Sequence, residues 1–105
     1  MGIAKPELDI ARNARTIEWL KAELVSGVSG LFKALLKNSE EAIVDGLANI
    51  IIASYLLGKR LGIGFSRLDS KISTRVKANI DKAHEIEKWY GDFTSLSQYL
   101  EEKQQ

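Results

Sequence analysis

From Ile10 onward the apolar residues recur at steps of three and four: Ile10, Ala14, Ile17, Leu20, Leu24, Val28, Leu31, Phe32 and Leu35. That spacing lines one face of an α-helix, and no segment of the chain shows the strict alternation of a half-buried strand. The only proline, Pro6, stands near the start, so nothing downstream forbids long helices. The fold class expected is all-α, a bundle of about four helices. Asp9 can cap the first helix. Gly27 and Gly30 lie inside it, and each costs about 1 kcal/mol against alanine in a helix interior, which leaves open a break near Ser26 to Gly30.

The second helix has a capping-box pattern at its start, Asn38 followed by Glu41, and Gly62 where a left-handed residue would end it. Lys59 and Arg60 then fall in the last turn, where cations suit the helix dipole. Ser66 with Asp69 repeats the N-terminal signal for a third helix carried by Leu68, Ile72, Val76, Ile80 and Ile86 and stopping at Gly91. Asp92 or Thr94 can cap a short last helix through Leu96, Tyr99 and Leu100, with a frayed end from Glu101 to Gln105.

A chain of 105 residues is the size of one domain, and 1–105 is read as a single domain. The charges nearly cancel at a formal +1, so no nucleic-acid surface is indicated. There is no cysteine, hence no disulfide and no thiolate metal site. No secretory apolar stretch follows Met1, and a cytoplasmic location is expected. The run Ile50 to Leu57 is apolar on nearly every face. Interrupted by Asp45 and Asn49 and stopped by Lys59 and Arg60, it falls short of the roughly 20 apolar residues of a spanning helix. It reads as a helix buried in a bundle or dimer, with no membrane partner.

Among polar residues, Lys71 and Arg75 continue a basic stripe from Arg67 that Lys82 can extend, with Asp69 and Asp81 at pairing distance along the helix. Such a stripe is either a solvated face or a phosphate contact. Glu41 and Asp45 are four apart and share a helix face, and Glu18 and Glu23 stand upstream. Trp89 and Tyr90 can stack on a base or close an interface. His84 has no second histidine to make a zinc spacing. Small residues form two strips, Ala22, Ser26, Ser29 and Gly30 on the first helix and Ala42, Gly46, Asn49 and Ala53 on the second, which allow close helix approach.

The stretch LFKALLKNSEEAIVDGLANIIIASYLLGKRLGI, residues 31–63, resembles the two central helices of a MazG-type domain. DIARN, IEWLKAEL and HEIEKWYGD are similar to segments of the small MazG-like family of Gram-positive bacteria. The resemblance implies an all-α nucleoside triphosphate pyrophosphohydrolase superfamily fold, a dimer, and magnesium held by a Glu-Glu-x-x-Glu and a Glu-x-x-Asp motif. It places Arg75 and Asn79 ahead of a nucleotide site. Laid on this chain, however, the two acidic motifs fall on Ser26, Gly27 and Gly30 and on Gly46 and Asn49, and none of these is a carboxylate. No acid lies between Glu23 and Glu40 to substitute.

The expectation is therefore a non-catalytic relative, a pseudoenzyme without a cofactor, paired as a homodimer or higher homo-oligomer. It would bind a ligand, possible at Lys71, Arg75 and Asn79 for a nucleotide, or a partner. The alternatives are an active pyrophosphohydrolase with magnesium on relocated ligands such as Glu41 and Asp45, and a purely structural interaction module.

Overall fold

The computed structural model describes residues 5–82 and 84–103. Among them are five α-helices and no strand, one helix more than the sequence suggests. The chain packs as two compact units that divide after Phe65.

In the first unit, α1 (Lys5–Lys37) and α2 (Glu40–Arg60) form a hairpin. α1 begins before Asp9, so Asp9 lies within the helix and does not cap it. It runs unbroken through Gly27 and Gly30. Packing explains the continuity at Gly27, where an added Cβ would stand 3.2 Å from Ile50 Cγ1: α2 braces α1 where its own propensity is weakest.

The turn between the helices corrects the expected capping box. Asn38 takes a left-handed conformation, φ 53, and ends α1, a role its short polar side chain tolerates. Ser39 is the N-cap instead, its hydroxyl accepting from the Ala42 N–H at 3.4 Å. Two cap-forming residues stand side by side, and the tight connection spends the first on closing α1.

At the other end of α2, Gly62 has φ 88 as expected, and the Ile63 N–H returns to the Gly58 carbonyl at 2.8 Å. Asn13 donates from Nδ2 to the Arg60 carbonyl at 3.1 Å, which satisfies one of the carbonyls a helix C-terminus leaves open and ties α1 to α2.

The seam of the hairpin is narrow. Leu20, Ala34 and Ala53 are buried along it, and Gly46 with them. Of the apolar face predicted for α1, Ile10, Val28, Phe32 and Leu35 remain exposed. On α2, Val44, Leu47, Ile51, Ile52 and Leu56 are exposed as well. The apolar part of α2 is also longer than the eight-residue run suggests. At 21 residues the helix is long and apolar enough, by length and composition, to cross a membrane. Ala42, Ile43, Val44, Leu47 and Ala48 extend the apolar run toward its start, around Asp45.

The second unit holds α3 from Ser66 on (the helix spans Phe65–Asp81), α4 (Glu85–Tyr90) and α5 (Asp92–Lys103). Ser66 lies inside α3 and does not cap it. α3 stops at Asp81, so Ile86 belongs to α4. His84, in an extended conformation, caps α4 by accepting from the Ile86 N–H on Nδ1 at 3.1 Å. Gly91, φ 67, ends α4 as the sequence predicts for a helix stop.

α5 starts at Asp92, which puts Thr94 in its first turn. The Glu87 carboxylate accepts from both the Thr94 N–H, at 3.1 Å, and the Thr94 hydroxyl, so an acid on α4 caps α5. The helix continues to Lys103; Gln104 and Gln105, in the end expected to fray, lie outside the described residues.

Candidate functional site

Along α1, Glu23, Ser26, Gly27 and Gly30 follow one another at helical steps, and along α2 so do Ala42, Asp45, Gly46 and Asn49. The antiparallel hairpin brings these eight residues together as the walls of one open cleft of about 320 Å³. All five positions that the resemblance would fill with metal-binding residues therefore share a single site. Ala22 and Ser29 of the small-residue strips are not among its walls.

The cleft is not uniformly tight. A Cβ on Gly46 would meet the Leu31 backbone, at 3.1 Å from Cα and 3.4 Å from N. A Cβ on Gly27 would stand 3.2 Å from the flexible end of Ile50. At Gly30 the same construction meets nothing within 4 Å. The absent side chains thus have two consequences. At Gly46 the space is taken by the opposing backbone, and at Gly30 it is open.

Two carboxylates border the cleft, Glu23 and Asp45, both exposed. No lysine or arginine does, so its electrostatic character is negative. Hard divalent ions gripping a triphosphate need several converging oxygen ligands. Two carboxylates with the Asn49 amide and the Ser26 hydroxyl are a thinner set. Among the described residues no group of three or more His, Asp and Glu side chains gathers where a metal could sit. The residues present do not fit the multi-carboxylate arrangement that the resemblance implies.

Of the relocated-site candidates, Asp45 lines the cleft, whereas Glu41 is exposed and does not. Sequence reading paired Asp45 with Glu41, four residues away on one helix. In the structure Asp45 lines the cleft together with Glu23 of the other helix, a relation that helical spacing alone cannot reveal. Glu18 forms an ion pair with Lys21 at 2.8 Å.

The basic candidates stand on α3. Lys71 and Arg75 are exposed, and Asn79, half-buried, donates from Nδ2 to the Arg75 carbonyl at 3.0 Å. These three share one helix face by their steps of four. A separate groove of about 550 Å³ is lined by Ser66, Asp69, Ser70, Ser73, Thr74 and Lys77. All six lie on α3, so it is the surface of one helix and not an enclosed site. Trp89 and Tyr90 are both exposed, their rings edge to face at 6.3 Å.

Compared with known proteins, residues 10–93 match the model of the MazG-like family. No curated protein and no solved structure matches the chain.

Proposed function

The chain belongs to the MazG-like family, and from that premise we propose that it is a non-catalytic member, a helical module that binds a ligand or partner and pairs with itself. One observation carries this proposal above the rest. Where the resemblance asks for the first acid of the second motif, the chain has Gly46, buried, with the Leu31 backbone in the space a side chain would need. The helices have closed over that position, and the neutral Ser26, Gly27, Gly30 and Asn49 supply no replacement charge.

Pyrophosphate release needs polarised phosphates and an activated water, tasks that metal ions perform in phosphoryl chemistry. The test is turnover of common and modified nucleoside triphosphates with magnesium or manganese, scored for monophosphate and pyrophosphate on protein freed of host enzymes. The expected result is no release above a protein-free blank. One specific observation favours the second reading, an active enzyme on relocated ligands: Glu23 and Asp45 face one cleft. Metal-dependent turnover that vanishes in Glu23→Gln and in Asp45→Asn, but survives Glu41→Gln, would establish that reading and overturn the proposal.

A nucleotide's phosphates find only like charge in the cleft, so in the absence of metal a nucleotide ligand would be held by Lys71, Arg75 and Asn79. Replacing Lys71 and Arg75 together by Ala should then remove any nucleotide-induced rise in melting temperature. The apo melting temperature should change little, because exposed charges contribute about 0–1 kcal/mol each. An undiminished ligand shift in the double variant would return these residues to the role of a solvated face. A cytoplasmic location is part of the same proposal, and the near-zero net charge supports a protein without a nucleic-acid partner.

A further inference from the structure

A second cleft opens toward the other end of the hairpin, on the side that carries the first. Trp19 continues the α1 steps that lead to Glu23, Ser26 and Gly30, and Leu56 and Lys59 continue the α2 steps from Asn49. This cleft encloses about 330 Å³ between Thr16, Trp19, Leu56, Lys59, Arg60 and Phe65, with the buried Leu20 as its floor.

Its chemistry is the reverse of its neighbour's. Two aromatic rings border it, Trp19 at 57% exposure and Phe65 at 44%, with Leu56 also exposed. Phe65 is held by an edge-to-face contact with Tyr55 at 5.8 Å, and Lys59 Nζ sits 5.0 Å from the centre of its ring. The cation is thereby kept at the aromatic wall. Neither Lys59 nor Arg60 has a carboxylate partner among the described residues; Glu18 is engaged by Lys21. Asp9 and Arg60 border an adjoining groove without forming an ion pair. Both cations also complement the C-terminal end of the α2 dipole, which accounts for their charge. It does not account for exposed rings beside them.

We propose that this cleft binds a small anion carried on a flat aromatic body, the aryl phosphate or aryl carboxylate class. The body lies against Trp19, Leu56 and Phe65, and the headgroup meets Lys59 and Arg60. A volume near 300 Å³ is at the small end of ligand pockets, which suits a ligand of one or two rings. Neither the vacated acidic positions nor the α3 stripe takes part, so the site stands or falls independently of whether the chain is an enzyme.

The probe is 1-naphthyl phosphate, with 1-naphthoate, 1-naphthol and inorganic phosphate as comparison arms. Binding is followed by the indole N–H signals of the two tryptophans in ¹⁵N-labelled full-length chain, assigned with Trp89→Phe. The expected result is a saturable shift of the Trp19 signal with Trp89 unmoved. Naphthol and inorganic phosphate should each bind at least tenfold more weakly, and naphthoate decides whether a carboxylate serves as headgroup. Lys59→Gln with Arg60→Gln should weaken naphthyl phosphate at least tenfold. Should the double variant not fold, Lys59→Gln alone should still weaken it measurably. Equal binding of naphthol, an unmoved Trp19 signal, or a folded charge variant that binds like the parent would overturn the proposal.

Discussion

Gly46→Val should lower the melting temperature of the hairpin, whereas Gly30→Ala, on the facing wall of the same cleft, should raise it. Both substitutions give up a helix-interior glycine, and on propensity alone alanine would add about 1 kcal/mol at either position. What separates them is the opposing surface. A Cβ at Gly46 would lie 3.1 Å from the Leu31 Cα, and backbone cannot rotate away as a side-chain end can. Even alanine must push α1 and α2 apart there, and the two further methyls of valine meet the same wall.

Forcing extra methyl groups into a filled contact costs about 1–3 kcal/mol and at times more. That is a large share of the 5–15 kcal/mol typical of whole-domain stability. At Gly30 the added methyl meets open space, so the propensity gain survives. A rise of several degrees is expected, since 1 kcal/mol moves the midpoint by about 4–8 °C in a domain of this size. Thermal melts followed by far-UV circular dichroism read both outcomes. A Gly46→Val chain as stable as the parent would show that the helices do not close at this point, and the case against a second-motif acid would go with it.

The same pair of glycines shows what the sequence could and could not reveal. The three- and four-residue steps disclosed the helices, and Gly62 and Gly91 disclosed two of their ends, because local periodicity and a positive φ are written into neighbouring residues. That Gly46 presses on Leu31 while Gly30 faces space depends on how two helices rotate against each other, which neither helix records by itself. That Glu23 and Asp45 line one cleft was hidden for the same reason.

The end of α3 at Asp81 was hidden differently. No glycine or proline marks it, and the residues around it are compatible with helix. Its signal was chemical: a histidine able to accept from a following N–H, ahead of Glu85 and Glu87 in a first turn. Along the sequence His84 stands alone, without the second histidine that a zinc spacing needs. Thr94, read as a cap, is itself capped by Glu87, a contact across seven residues and a turn.

Ile51→Lys should convert a self-paired chain into monomers. On the side of the hairpin away from both clefts, Val28, Phe32 and Leu35 of α1 and Val44, Leu47 and Ile51 of α2 recur at helical steps. All six are exposed, Phe32 at 61% and Ile51 at 55%. An apolar stripe of this extent, made of two helices, has the form of half a four-helix bundle, and a second copy offers the same stripe to it. We propose a second copy as its cover.

Covering a fully exposed isoleucine is worth about 1.5–3 kcal/mol; Ile51, 55% exposed in the single chain, gains about half of that, and a two-fold contact counts it twice, so its loss alone weakens pairing about 10–150-fold. A lysine buried opposite its symmetry mate adds like-charge repulsion and desolvation. Ile52 provides the control. It is turned about 100° from Ile51 around α2, toward the cleft side, so Ile52→Lys should leave pairing largely intact. Sedimentation equilibrium from low to tens of micromolar reads both variants against the parent. The parent should be a dimer or larger, Ile51→Lys a helical monomer or an unfolded chain, and Ile52→Lys like the parent. A parent that sediments as a monomer throughout sinks the proposal. So does one that floats with lipid vesicles, which would give α2 the membrane role its length and composition permit.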